Sequence, residues 1–281
     1  MQEIKEVKFS CKRDDLVIRG LECLPANMPA ETNPLPAVII SHGFMANHTS
    51  VLHYAKLFAQ WGYAAFCFDF CGGCIKGESD GKTTDMSVLT EVQDLKAVLS
   101  YVQKLPSIDR NHLLLMGCSQ GGFVSAMVAS QLPQQIAGLI LFYPAFCIPD
   151  DARSGNMMCN SFDPDHIPEV LDKGPMKLGR TYPASVQQMD AYAETKNYHG
   201  PLLIVHGTAD EIVHLPYIEK AWEMYTDGKP EEHPDKQLLL IEGAPHAFTG
   251  EADQTAITAL SHFVTDLPAY LSNRFQDQTS R

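Results

Sequence analysis

Gly117-Cys118-Ser119-Gln120-Gly121-Gly122 follows the apolar run His112-Leu113-Leu114-Leu115-Met116 and precedes the helix-like Phe123-Val124-Ser125-Ala126-Met127-Val128-Ala129. A buried strand running into Gly-x-Ser-x-Gly and then a helix is the setting of a nucleophile elbow, a sharp turn that holds a serine hydroxyl clear of the sheet. Side chains two residues either side of that serine would collide with the adjoining strand and helix. Gly117 and Gly121 remove the collision, so Ser119 is the candidate nucleophile. The bland alternative is a glycine-rich turn in an ordinary α/β protein. The five-residue pattern alone is weak evidence, and the strand before it and the helix after it favour the elbow.

Outward from this stretch, apolar strand runs alternate with helical patterns. Ala37-Val38-Ile39-Ile40, Ala64-Ala65-Phe66-Cys67-Phe68, Gly138-Leu139-Ile140-Leu141-Phe142, Leu202-Leu203-Ile204-Val205 and Gln237-Leu238-Leu239-Leu240-Ile241 read as core strands. Val51 to Trp61 reads as a helix. Between Met86 and Leu105, Val88, Leu89, Val92, Leu95, Val98, Leu99 and Val102 recur at three- and four-residue steps, one face of a helix with Asp85 as its expected N-cap. A last helix is expected from about Ala256 to Leu271. Ile4 to Ser10 and Leu16 to Cys23 predict an antiparallel hairpin through Lys12-Arg13-Asp14-Asp15, followed by a proline-rich linker from Pro25 to Pro36. The alternation predicts an α/β fold, a mostly parallel central sheet flanked by helices. One domain is expected over 1–281, interrupted at 146–197 by a segment rich in Pro, Gly, Met and Asp that reads as an inserted lid over the site.

A serine hydroxyl is a weak nucleophile until a base takes its proton, and the base needs a carboxylate to fix its tautomer and stabilise the imidazolium. In open parallel sheets such groups sit on loops after strand C-terminal ends. After Leu202–Val205 comes His206-Gly207-Thr208-Ala209-Asp210-Glu211, and after Gln237–Ile241 comes Glu242-Gly243-Ala244-Pro245-His246. Ser119, Asp210 and His246 thus follow the serine, acid, histidine order of the α/β-hydrolase fold. Glu211 is the rival acid, and His206 and His214 are rival histidines better suited to packing or hydrogen bonding. An oxyanion hole needs backbone N–H groups facing the charge that develops on a carbonyl oxygen. Gln120 N–H, directly after the nucleophile, is one candidate, and Phe44 N–H in Ser41-His42-Gly43-Phe44-Met45 is the other.

The 281 residues are 45% hydrophobic and 20% charged, enough for a sizeable soluble core. The net charge of −13 repels phosphate backbones and anionic lipid surfaces, which argues against nucleic-acid and membrane partners and leaves a small molecule. No apolar signal core opens the chain, so a cytoplasmic location is expected, in which the 8 cysteines stay reduced. Cys71-Gly72-Gly73-Cys74 has a spacing seen in redox and zinc sites, but it lies in a glycine-rich loop and has no partner pair, which favours a plain loop beside the pocket. The chemistry calls for no cofactor and no metal. A homodimer is left open.

His42-Gly43-Phe44, Phe68-Asp69-Phe70 with Gly77-Glu78-Ser79-Asp80-Gly81, Gly117 to Gly122, Asp163-Pro164-Asp165-His166-Ile167-Pro168 and Gly207-Thr208-Ala209-Asp210 together resemble the bacterial cinnamoyl (feruloyl) esterases. The likeness runs over most of the chain, and the Asp163 to Pro168 segment is its most discriminating part. It implies a serine carboxylesterase acting on hydroxycinnamoyl esters, with the inserted lid forming part of an aromatic pocket and Asp151 matching a lid acid that contacts the phenolic hydroxyl. The chain departs from the family at Met157-Met158 and at Cys71 to Lys76. Independently of the resemblance, Phe146, Met157, Met158, Phe162, Tyr182 and Met189 are apolar lid side chains able to line a pocket for a flat acyl group, Met158 and Tyr182 foremost. Thioesterase, peptidase and acyltransferase chemistry run on the same triad, and a hydrolase-like binding protein is the non-enzymatic alternative.

Overall fold

A computed structural model of the chain describes residues 3–26 and 34–279, so most of the expected proline-rich linker, residues 27–33, lies outside the described residues. The hairpin forms from β1 (Ile4–Arg13) and β2 (Leu16–Pro25), paired from Ile4↔Pro25 to Arg13↔Leu16. Its turn is shorter than the charged run suggested, only Asp14-Asp15, with Asp14 taking the left-handed conformation at φ 51°. Lys12 and Arg13 are strand residues.

The hairpin joins an eight-stranded sheet with β3 (Leu35–Ser41), β4 (Ala64–Phe68), β5 (Ile108–Cys118), β6 (Gly138–Phe142), β11 (Leu202–Gly207) and β12 (Lys236–Ile241). The short strands β7 (Asn156–Met157), β8 (Asn160–Ser161), β9 (Val170–Leu171) and β10 (Leu178–Gly179) stand apart as two antiparallel ladders, β7 with β8 and β9 with β10. The main sheet runs β1-β2-β4-β3-β5-β6-β11-β12, antiparallel from β1 to β4 and parallel onward. A parallel sheet must be covered on both faces. Alternation along β3 shows how: Ala37 and Ile39 enter one apolar layer, Val38 and Ile40 the other.

The first layer is roofed by α2 (Val88–Val102), α3 (Gln120–Gln131) and α7 (Leu215–Thr226), and the second by α1 (Leu52–Gln60) and α8 (Gly250–Thr279). Helix α3 is buried along nearly its whole length, which explains why it is apolar all round. Helix α2 is capped by Ser87 and not by Asp85: the Ser87 hydroxyl accepts from Thr90 N–H and the Thr90 hydroxyl accepts from Ser87 N–H. Within its expected apolar stripe Leu89 is 40% exposed, while Glu91 is buried in its stead. Helix α8 begins six residues before the expected Ala256, with Glu251 and Asp253 in its first turn, and runs past Leu271.

Between β6 and β11 the chain leaves the sheet. That excursion carries α4 (Ile148–Ser154), the two short ladders, α5 (Thr181–Val186) and α6 (Ala191–Thr195). Gly155, the α4 C-cap, is left-handed at φ 71°, and a Cβ there would lie 2.1 Å from the Phe162 carbonyl oxygen. No helix among the described residues is long and apolar enough to cross a membrane.

Candidate active site

Strand β5 ends at Cys118, and Ser119 stands alone between it and α3 with φ 52° and ψ −121°. A β-carbon at Gly117 would sit 2.2 Å from the Gly121 carbonyl oxygen, and one at Gly121 would sit 2.3 Å from the His42 oxygen. The two glycines therefore let β5, α3 and the end of β3 meet at this turn. The strained Ser119 backbone is held by bonds from Ser119 N–H to Phe142 O and from Gly122 N–H to Ser119 O, each 2.9 Å.

Asp210 and His246 come from loops after β11 and β12, as the strand-end argument required. Ser119 Oγ lies 2.9 Å from His246 Nε2, and His246 Nδ1 lies 2.7 Å from Asp210 Oδ2. The other carboxylate oxygen, Oδ1, accepts from the Ile212 and Val213 amides, both at 2.9 Å. Burial alone would raise the Asp210 pKa, but the bonds from His246 and these two amides hold it below the ordinary carboxylate value. An ionised Asp210 only accepts, so the imidazole proton sits on Nδ1 and the Nε2 lone pair faces Ser119. His206 is fully buried and donates from Nε2 to Val213 O at 2.9 Å, bracing the loop that carries Asp210. Glu211, the rival acid, lines the cavity, while the carboxylate bonded to His246 is that of Asp210.

The Gln120 amide is the first of α3 and has no intrahelical acceptor. Phe44 follows Gly43, whose absent Cβ would stand 3.2 Å from Ser119 Cβ, so the β3 loop passes directly over Ser119. Among the described residues neither amide donates to a protein acceptor. The positive end of α3 adds to the field at this spot.

His42 is 1% exposed and fixes that loop. Its Nδ1 donates to Gly43 O at 2.7 Å, while Nε2 accepts from Phe70 N–H at 3.2 Å and lies 3.3 Å from Cys74 Sγ. Desolvation lowers the His42 pKa and keeps it neutral. Ligand atoms of His42, Asp69 and Cys74 lie within 4.8 Å of one another, a spacing that suits a metal ion. The donor set nevertheless carries hydrogen bonds already: Asp69 accepts from His48 N–H and from Glu78 N–H. Burial pushes the Cys71 thiol up to about 12 and the Cys74 thiol higher still, away from a reactive thiolate. These residues brace the loop after β3 that carries Gly43 and Phe44.

A cavity of about 630 Å³ opens over Ser119 and His246. Ala145, Cys147, Ile148, Met158 and Val213 give it apolar walls, and Asp151 contributes a carboxylate from α4. Burial pushes Asp151 up to about 6. Of the lid side chains expected to line the pocket, Met158 does so. Tyr182 does not: it is fully buried behind the site, where its hydroxyl donates to Gln120 Oε1. Phe146, Met157, Phe162 and Met189 are likewise absent from the cavity wall, because they pack the excursion onto the core, Phe146 stacking on Tyr192 with centroids 5.7 Å apart. The Asp163 to Pro168 segment forms an exposed turn on which Asp163 accepts from His166 at 2.9 Å. Sequence reasoning missed Tyr143, which follows β6 and touches His246; the strand-end position that singled out Asp210 was its available signal.

Residues 32–191 match the family model described as "Serine aminopeptidase, S33". Est1E from Butyrivibrio proteoclasticus, solved with ferulic acid bound, is 26% identical, superposes with a TM-score of 0.82, and aligns over 93% of this chain and 99% of its own. A 31.7 kDa protein of the Escherichia coli traX-finO intergenic region is 32% identical over 123 residues, 43% of this chain and 41% of that protein. The acylamino-acid-releasing enzyme of Rattus norvegicus is 26% identical over 253 residues, 84% of this chain and 31% of that enzyme. The chain thus spans well under half the length of these curated relatives. The family match covers more than half of the chain, and its eight-stranded sheet, elbow and strand-end loops are those of the α/β-hydrolase fold: the protein belongs to the serine aminopeptidase S33 family.

Proposed function

We propose that the protein is a serine carboxylesterase of small esters, with hydroxycinnamoyl esters as its preferred class. The observation that carries this reading is the unbroken chain from Ser119 Oγ to His246 to Asp210 at the floor of the 630 Å³ cavity. Ser119 attacks the ester carbonyl while His246 Nε2 takes its proton. Asp210 holds the imidazole in the correct tautomer, and the Phe44 and Gln120 amides receive the charge that develops on the carbonyl oxygen. His246 then protonates the leaving alcohol, and water releases the acid by the same route. The chemistry is complete with side chains and backbone.

The substrate class follows from the cavity. Its apolar walls suit a flat acyl group, and Asp151, one of the residues that line it, would accept a hydrogen bond from a phenolic hydroxyl. The likeness to Est1E, which binds ferulic acid, supports the same choice. The lid role proposed for the excursion rests on α4 and the β7–β8 region supplying Asp151 and Met158 to that wall.

The test is intact-mass analysis after reaction with an active-site serine phosphonate, for the native chain and Ser119→Ala, beside hydrolysis of methyl ferulate, p-nitrophenyl butyrate and a p-nitroanilide. One phosphonyl adduct that disappears in Ser119→Ala, with methyl ferulate preferred, is the expected result. Faster cleavage of the anilide would replace the esterase reading with a peptidase one, and neither labelling nor turnover would point to a binding protein.

A further inference from the structure

Gln120 has two duties that pull against each other. Its backbone N–H, the first of α3, is the one assigned to the oxyanion, while its side chain, 1% exposed, is buried with two polar ends to satisfy. Nε2 donates to Glu91 Oε2 at 2.7 Å, and Oε1 accepts from the Tyr182 hydroxyl. Glu91 belongs to α2 and Tyr182 to α5 of the excursion, so three separate elements meet on one amide side chain. Tyr182 also lies against the second amide bearer: its ring centroid is 5.7 Å from that of Phe44. One residue of the excursion therefore touches both residues whose N–H groups are assigned to the oxyanion.

Glu91 is 1% exposed, and its acidic neighbour Asp94 has its own partners, Arg13 Nε at 2.5 Å and Cys71 N–H at 2.8 Å. Burial and the nearness of Asp94 drive the Glu91 pKa far above the carboxylate range, so it serves as a neutral acid. A neutral carboxyl, a carboxamide and a phenol form a chain in which the phenol donates to the Gln120 carbonyl oxygen and the Gln120 amide donates to Glu91. Such a chain rigidifies when complete and is costly when broken. The position is informative: fixing the Gln120 side chain restrains the first turn of α3, where the outward amide is set.

We propose that Tyr182 and Glu91 are positioning residues of the oxyanion hole, holding Gln120 and Phe44 in place so that the seating of α5 completes the hole. This rests on the serine-esterase reading of the same site. It makes the excursion part of the catalytic geometry as well as a wall of the pocket. A buried polar cluster with a purely structural role would affect folding and leave turnover per folded molecule alone.

The experiment compares the native chain with Tyr182→Phe, Glu91→Leu and Glu91→Gln, measuring thermal midpoint, kcat and KM on p-nitrophenyl butyrate, and the rate at which the phosphonate labels Ser119. Removal of a whole oxyanion donor costs about 10²–10³ in rate, so loosening one predicts a smaller loss, about tenfold in kcat, for Tyr182→Phe and Glu91→Leu. KM should hold within about twofold, and labelling should slow in step with kcat, because phosphonylation uses the same hole. Glu91→Gln keeps an acceptor oxygen for Gln120 Nε2 and should restore activity. Tyr182→Phe removes a single oxygen atom, so it keeps the test open if Glu91→Leu fails to fold. Unchanged kcat and labelling in a folded Tyr182→Phe, or a loss confined to KM, would overturn the positioning role alone. A native chain that neither turns over ester nor is labelled would overturn the esterase reading, and this inference with it.

Discussion

Tyr143 stands edge-on to the imidazole of His246, with ring centroids 4.8 Å apart and planes at 64°, and Phe248 packs against Tyr143 at 4.9 Å and 90°. His246 is thereby held between an aromatic wall and its bond to Asp210. The backbone of Tyr143 is left-handed at φ 39°, an uncommon conformation for a bulky residue, and it turns the ring toward the histidine. An aromatic pair of this kind is worth about 0.5–1.5 kcal/mol beyond area burial. Tyr143→Phe keeps the ring and should leave kcat within about twofold, whereas Tyr143→Ala frees the imidazole and should cut kcat by about tenfold. Steady-state kinetics on a short-chain ester check this, and equal effects of the two substitutions would contradict it.

Asp151 yields a paired prediction about recognition and stability. Its folded-state pKa, about 6, lies above the unfolded value of 3.8, so the protonated form favours folding. That contribution is present below the unfolded pKa and is lost as pH rises through the folded one. Asp151→Asn is neutral throughout and should raise the melting temperature at neutral pH, with no gain near pH 4. It should also raise KM for methyl ferulate by about tenfold, the scale of a hydrogen bond to a charged group, and leave KM for methyl cinnamate, which lacks the hydroxyl, nearly unchanged. In the native chain, KM for the ferulate should rise as pH falls through about 6. Equal KM changes for both esters would remove Asp151 from recognition.

His48 and Asp69 form a largely buried pair outside the Ser119, His246 and Asp210 chain of hydrogen bonds. His48 Nδ1 lies 2.7 Å from Asp69 Oδ1, and the facing groups are His42, Glu78 and Lys8. The bond to Asp69 raises the His48 pKa. Burial would raise that of Asp69, but the bonds from His48 and the Glu78 amide bring it below the ordinary value. The His48 contribution is full below its unfolded pKa and fades as pH rises through the raised one. The Asp69 contribution is full above its unfolded pKa and fades as pH falls through the depressed one. The pair is strongest between, from about pH 4 to about pH 6.5. Thermal melts of His48→Gln should therefore show a larger deficit near about pH 5.5 than near about pH 8.5. A deficit that grows with pH would reverse the assignment.

What the sequence made legible follows from where each group sits on a strand. Ser119, Asp210 and His246 each stand on a loop entered from an apolar run, so period and position located them before any contact was known. Tyr182 was misplaced for a physical reason: in a segment without periodicity nothing in the local pattern says whether an aromatic ring faces the cavity or the core. Glu91 carried a readable signal, since it falls three residues after Val88 and four before Leu95 in the apolar stripe of α2, yet its partner Gln120 is 29 positions away. The Ser87 cap was hidden because Thr90, and not a glutamate or glutamine, completes the reciprocal pair. The placing of β4 between β2 and β3 is a matter of long-range pairing that spacing does not encode.

Two glycines next to Ser119 separate fold from chemistry. A methyl group at position 121 would lie 2.3 Å from His42 O and 2.5 Å from Ser41 O, both rigid backbone at the end of β3. Helix α3 would have to move off the sheet, so Gly121→Ala should cost about 3 kcal/mol or more and show as a collapsed melting temperature and poor soluble yield. At position 43 the new Cβ meets Ser119 Cβ at 3.2 Å and Ser119 Oγ at 3.8 Å, with Cys118 O at 3.5 Å. A shift of a few tenths of an ångström relieves that contact, and the tightest neighbour, the one that must give, is Ser119 itself. Gly43→Ala should therefore melt close to the native chain while losing about tenfold or more in kcat, since small misplacements at a reacting centre are costly. Melting temperature and kcat measured on both variants decide the matter: a stable Gly121→Ala, or an active Gly43→Ala, would show that the close approach of α3, β3 and Ser119 does not govern this site.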